Sequence, residues 1–383
     1  MNTLNSINMI KVSSLKSFLI FLPIISYTPF FFTELVNPSI RIGYFALVSL
    51  YLFCSTRYFT KKDILLLGLI TMFVTLLLMN NSGGTASLFS AGNYCLTIFF
   101  GWALYRYLLA SNLRKNALLD LYVNFFYLVV AFSVLSLLYY ITLGELDLFG
   151  FKSSTAAHLV TPFGVLFKRV VSSDISVYRS FFYFIEAAHL GIFYAANIII
   201  VAPLLKNKES IFIKLNFIGG FLSMSMTFYA VLLILYGFKK TKSIYSFIGV
   251  VIGIFFLLVG FQAIDLLSYS SSDDRTERFL IFFLVMDQAS ALQLLFGHGV
   301  AFETGFIKAF NSGLTLSIYE TGIFGAALQI GILFILCPSP IVILFFILAA
   351  LVVDPIHMPL FWFLIVVISS SLKRQIANHE GYQ

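Results

Sequence analysis

Charge is scarce in this chain. Asp, Glu, Lys and Arg make up 11% of the 383 residues, against 60% apolar ones, too few to clothe a soluble domain of this size in a polar shell. Cysteine is scarce too. The three present, Cys54, Cys95 and Cys337, sit in or at the edge of apolar runs without CxxC spacing, which excludes a disulfide framework and a zinc site. No DxD-like acidic pair and no histidine cluster is spaced to hold a metal, so no cofactor or metal is expected. The net charge of +7 is not gathered into a basic cluster interleaved with aromatics, which excludes a nucleic-acid platform. There is no repeat of 20–50 residues. No small-residue cleavage site follows Lys11 and Lys16 and the apolar run behind them, so the first span is expected to be uncleaved.

What the chain has instead is apolar length. Mean hydropathy is +0.96, and runs of about 17–25 apolar residues recur, enough to cross a hydrocarbon core of roughly 30 Å. In lipid such spans must be helical, because backbone N–H and C=O groups find no other partners there. The expected fold class is therefore all-α: a polytopic integral membrane protein forming a single transmembrane domain over residues 1–383. Spans are placed near 17–33, 40–56, 63–79, 91–110, 117–142, 181–204, 244–262, 312–336, 339–353 and 356–371. The stretch 211–238 fixes the topology. Read as two short helices broken near Gly219–Gly220 and Ser223, it brings Arg57/Lys61/Lys62, Arg114/Lys115, Lys206/Lys208, Lys239/Lys240/Lys242 and Lys373/Arg374 to the cytoplasmic face, as the positive-inside rule asks. The total becomes about 12 transmembrane helices with both termini cytoplasmic. Two large loops, about 143–180 and 263–311, then face outward together.

Those loops and their borders carry the candidate chemistry. On one helix beginning near Tyr178, Arg179, Glu186 and Asn197 fall within about 20° of a single line, with His189 some 60° from Glu186. Charges inside a span are costly and usually face a bundle interior or a watery cavity. The second group lies in SSDDRTERFLIFFLVMDQASALQLLFGHG. There Asp274 and Glu277 form a capping box, and one interfacial helix is expected from 274 to Gly297, with Arg275 and Arg278 on a shared face. Guanidinium forks suit phosphate oxygens, so arginines from the two loops can hold a diphosphate and stabilise it as a leaving group. Glu186, or His298 on its Gly-His-Gly turn, can accept a proton from an acceptor hydroxyl. Glu320, in SIYETGIFG, either bonds a neighbouring helix or lines the cavity.

Four pieces of this sequence, in order, resemble the O-antigen polymerase/ligase superfamily. They are Arg179-S-F-F-Y-F-I-Glu186, with Ala187 where the family has proline; L-S-M-S-M-T at 222–227; Arg275-T-E-Arg278 through L-L-F-G-H-G at 294–299; and F-N-S-G-L-T-L-S-I-Y-E-T-G-I-F-G at 310–325. The resemblance covers roughly 178–365. It implies a metal-independent glycosyltransferase of a bacterial cytoplasmic (inner) membrane acting on undecaprenyl-diphosphate-linked oligosaccharide. A chain-length regulator and a flippase are the partners it implies, beside the lipid bilayer. It also implies that Arg179, Arg275 and Arg278 handle the diphosphate; His189, Asn197, Asn311 and Glu320 are the further residues expected to contact substrate. Where ligase members place their presumed catalytic histidine this chain has Asn311, which cannot act as a base and favours a repeat-unit polymerase over a ligase. A lipid-linked oligosaccharide flippase is the alternative from another class.

Overall fold

The computed structural model describes residues 15–25, 38–56, 59–79, 84–143, 158–180, 187–205, 208–241, 282–299, 313–337, 339–351 and 358–380, apart from positions 23, 162, 173 and 174. The fold is predominantly helical, as the apolar runs predict. A helical segment at 15–25 precedes α1 (Pro38–Cys54), α2 (Lys61–Met79), α3 (Gly84–Leu109) and α4 (Asn112–Leu143). Later come α5 (Ala187–Ala196), α6 (Glu209–Leu222), α7 (Met226–Thr241), α8 (Ala291–Phe296), α9 (Gly313–Leu336), α10 (Pro340–Ala350) and α11 (Pro359–Glu380). The core is aromatic: Tyr122 stacks on Phe363 at 5.4 Å, and the ring of Trp362 lies where Gly101 leaves no room for a Cβ. The outward helix faces are apolar as well, with Leu47, Ile64, Leu128, Ile141 and Phe334 all more than half exposed. Leu113–Leu143 and Thr315–Leu336 are long and apolar enough, by length and composition, to cross a membrane.

Basic residues gather at one end of the bundle. Lys62 donates to Tyr105 Oη at 3.3 Å, the Arg114 guanidinium lies 4.4 Å from the Tyr107 ring centroid, and Lys208 pairs with Asp120 at 3.3 Å. The break expected in 211–238 is present, at Ser223–Ser225. Met224 turns the chain there with φ 44°, and Ser223 satisfies its own turn by donating to Gly220 O at 2.7 Å. Two close approaches fix the hairpin against α5: Gly219 meets the Tyr194 ring, and Gly191 meets Ser225. Lys239, at the far end of α7, donates to Ile199 O at 3.3 Å, so both ends of the hairpin return to the basic end. Ile199 lies in a π-helical turn, Asn197–Val201, where looser helical pairing leaves carbonyls for outside donors.

Three expectations need correcting. First, Arg179 is not on a helix with Glu186 and Asn197. It lies in β3 (Ile175–Ser180) of a three-stranded antiparallel sheet with β1 (His158–Thr161) and β2 (Gly164–Ser172), where it pairs with Phe167. Ile175, Val177 and Tyr178 are strand formers, and their pairing with β2 prevails over helix formation. Phe163, between β1 and β2, packs on Phe132 and Tyr139 and anchors the sheet to the Leu143 end of α4. Second, the expected helix ending at Gly297 is interrupted. Helical residues 282–287 give way at 288–290, and Ser290 starts α8 through a reciprocal capping box with Gln293. The box expected at Asp274 and Glu277 lies outside the described residues.

Third, α9 is not a straight span. Gly322 has φ 68° and ψ −178°, far from helical values. Ser317 Oγ donates to Gln329 Oε1 at 2.8 Å, although a straight helix would hold these residues roughly 18 Å apart along its axis. The arm before Gly322 therefore folds back along the arm after it. Gly325, just past the bend, lies against Leu76 near the Met79 end of α2. That is the sheet end of the bundle, away from the lysines.

Candidate functional site

A helix ends with carbonyls that have no intrahelical donor. The first arm of α9 ends at Gly322, so its last carbonyls need donors from elsewhere. The Gly-His-Gly turn after α8 supplies them: His298 N–H donates to Tyr319 O at 2.8 Å, and Gly299 N–H donates to Glu320 O at 3.1 Å. Glycine is required on both sides of this junction. A Cβ on Gly297 would lie 2.2 Å from Glu320 O, and one on Gly322 would lie 2.3 Å from Leu295 O. Gly297 and Gly299 also hold φ 85° and 88°, which L side chains rarely adopt. Two turns from separate segments thus interlock through their backbones.

Side chains converge on the same junction. The His298 imidazole stacks on the Tyr319 ring, with centroids 4.6 Å apart and planes 6° from parallel. Glu320 is 5% exposed, and its Oε2 accepts a hydrogen bond of 2.8 Å from Tyr94 Oη of α3. Tyr94 in turn packs edge-on against Phe73 of α2. His298 Nδ1 is buried and has no hydrogen-bond partner among the described residues. At this junction, where two helical segments are interrupted, the Glu320 carboxylate bonds the Tyr94 phenol and the His298 imidazole stacks on Tyr319.

Of the expected site residues, His298 and Glu320 are brought together. Asn197 is fully buried elsewhere: its Oδ1 accepts from Tyr122 Oη at 2.6 Å, and its Nδ2 donates to Asn216 Oδ1 at 2.7 Å. Asn216 passes the chain on to Phe212 O at 2.7 Å, so this amide pair ties α4, the π turn and α6 together rather than facing a substrate. His189 lies on α5, two residues before the Gly191 that meets Ser225. Arg179 lies on β3. Glu186, Arg275, Arg278 and Asn311 lie outside the described residues. Among the described residues, no three His, Cys, Asp or Glu side chains are grouped to hold a metal ion.

Tyr94 and Tyr319 escaped sequence reasoning, because no spacing links a tyrosine in α3 to a glutamate 226 positions on. A second missed cluster sits at the basic end. Asp63 accepts from Thr60 N–H and Oγ1, each at 2.7 Å, and from Trp102 Nε1 at 3.0 Å. Arg106 stands 3.6 Å from the same carboxylate, with its guanidinium over Phe59, Phe53 and Trp102. The signal that was available is the capping pair Thr60-x-x-Asp63. Compared with known proteins, the chain matches no family model, no curated protein and no solved structure.

Proposed function

We propose that this chain is a polymerase of lipid-linked oligosaccharide repeats at the outer face of a bacterial cytoplasmic membrane. It would transfer a growing glycan from undecaprenyl diphosphate to a sugar hydroxyl of the incoming lipid-linked repeat. One observation carries the reading. The Gly297-His298-Gly299 turn and the Glu320-T-Gly322 bend, two of the pieces that resemble the O-antigen polymerase/ligase superfamily, pack on each other through paired backbone hydrogen bonds. The apolar outer faces of the helices support membrane embedding, since a soluble surface rarely exposes so much apolar area. The basic end of the bundle supports a cytoplasmic assignment of Lys62, Arg114, Lys208 and Lys239, and on this reading the junction and the sheet face outward. About twelve membrane-embedded helices with both termini cytoplasmic follow on this reading. The 211–238 hairpin then enters as two short helices.

In this scheme Arg179, Arg275 and Arg278 neutralise the diphosphate as it leaves, and the junction receives the acceptor sugar. No change of partners at a metal is needed for such a displacement. A second reading, a flippase for the same lipid-linked glycan, draws support from the paired helix breaks at Ser223–Ser225 and Gly322, since discontinuous helices also mark transport sites.

Deleting the protein from its native cell separates the two. A polymerase's loss leaves surface glycan capped with single repeats. A flippase's loss leaves the lipid-linked repeat trapped on the cytoplasmic leaflet, and that result would replace the proposal. Glycan that is full length but still lipid-linked would point instead to a ligase.

A further inference from the structure

We infer that Lys16 and Arg114, set on the rings of Tyr51 and Tyr107, form a site for the headgroup phosphate of an anionic phospholipid. The inference rests on the membrane-embedded reading, with the basic end cytoplasmic, and not on the reaction the chain performs.

Other cations at the basic end have a counter-charge. Arg106 stands beside Asp63, and Lys208 pairs with Asp120. Among the described residues, Lys16 and Arg114 have no carboxylate within ion-pair distance. They rest on aromatic rings instead: Lys16 Nζ lies 5.0 Å from the Tyr51 centroid, and the Arg114 guanidinium 4.4 Å from that of Tyr107. The two pairs adjoin, since each of these charges acts on both phenols. An aromatic face attracts a cation but does not neutralise it. Positive charge therefore converges here without an acid to meet it.

The backbone adds to the imbalance. Arg114 stands in the first turn of α4, whose free N–H groups carry partial positive charge, and that turn contains no acid. The first turn of α2 has the stabilising arrangement, with Asp63 in it. The last turns of α1 and α3, which carry Tyr51 and Tyr107, offset part of the charge with their carbonyls. An anion is what the place lacks.

Its surroundings favour a lipid over a soluble ion. Leu15, Leu50 and Leu113, chain neighbours of Lys16, Tyr51 and Arg114, are each more than half exposed. At a membrane rim such side chains lie against acyl chains while the cations beside them reach the headgroups. The exposed Tyr51 suits the same depth, with an apolar ring and a polar tip. The guanidinium fork can take two phosphate oxygens, and the ammonium adds a point charge.

The test uses full-length protein in neutral detergent, titrated with phosphatidylglycerol or phosphatidylcholine, with bound lipid counted by native mass spectrometry. Phosphatidylglycerol should be retained in preference to phosphatidylcholine. Each cation near an anionic surface strengthens the contact about fivefold, so Lys16→Ala combined with Arg114→Gln should weaken phosphatidylglycerol binding about 30-fold. Arg114→Gln alone keeps its stem on Tyr107 and should weaken binding about fivefold, which gives a readout even where the double variant does not fold. Lys208→Ala removes a charge from the same end outside the site and should bind like the parent.

Parent-level binding in Arg114→Gln would overturn the proposal, as would equal retention of the two lipids. An equal loss in Lys208→Ala would overturn it too, because net charge rather than a site would then hold the lipid. Displacement of phosphatidylglycerol by an excess of inorganic phosphate would replace the lipid with a soluble ion. A chain that stays monodisperse without detergent or lipid is a different failure, because it would remove the membrane reading and this inference with it.

Discussion

Asp63 and Glu320 are both 5% exposed acids, set toward opposite ends of the same bundle. Their surroundings differ in kind. Around Asp63 the backbone is regular, and the side chain completes it: Thr60 and Asp63 cap α2 reciprocally, and Arg106 is boxed by Phe53, Phe59 and Trp102. Around Glu320 the backbone is irregular on both sides, with glycines at φ 85°, 88° and 68° within reach. The difference teaches that burial alone does not mark a working carboxylate. A structural acid is found where it repairs a helix end. The candidate functional one is found where other groups have been arranged to repair the helix ends around it.

The largest expected effect breaks the Asp63 side. Asp63→Ala removes the cap of α2 and leaves Arg106 buried without its carboxylate, and losing one partner of a buried pair costs about 3–5 kcal/mol. Thermal unfolding in detergent should show that loss. Polymer formed per folded molecule should stay at the parent level, since this cluster is far from the bend. If activity per folded molecule collapsed instead, the separation of the two acids into structural and functional would not hold.

Gly322→Ala acts on the other side and comes next in size. A side chain at φ 68° is strained by about 1–3 kcal/mol, and its Cβ would drive into Leu295 O. The two turns must part, so glycan length should fall to single repeats even where the protein remains inserted and Asp63 undisturbed. Long polymer from this variant would show that the interlock does not organise the site.

How much of this contrast was legible in the sequence depends on which residues carry it. The break at Ser223–Ser225 was readable because Gly219–Gly220 and the serines punctuate an apolar run, and lysine placement demanded a reversal there. The break at Gly322 was not, because E-T-G-I-F-G-A-A-L-Q-I-G keeps a helical apolar pattern. A lone glycine in such a pattern ordinarily means a small loss of stability rather than a fold-back. The donors that make the fold-back possible come from a turn 21 or more positions earlier. Arg179 was misread for a related reason: Tyr178 to Phe184 is aromatic enough to begin a span, and only the partner strand at 164–172 makes 175–180 a strand. Local pattern records helix length well, and it records poorly which neighbour will complete a broken end.

The smallest expected effect sharpens the comparison at the basic end. Lys208 and Asp120 form an ion pair whose side chains are 53% and 60% exposed, and pairs as open to solvent as this contribute about 0–1 kcal/mol. Lys208→Ala should therefore leave the melting temperature almost unchanged, in contrast to Asp63→Ala a few helices away. Its charge matters in another way. Lys206, Lys208, Lys239 and Lys240 flank both ends of the α6–α7 hairpin, and positive residues beside short apolar segments hold their loop in the cytoplasm. Removing all four should expose a cysteine placed at position 240 to membrane-impermeant reagent added outside the cell, whereas the same cysteine in an otherwise native chain should be shielded. Ready labelling in the native background would reverse the orientation, and would put the Glu320 junction on the cytoplasmic side, where a lipid-linked repeat awaiting polymerisation is not displayed.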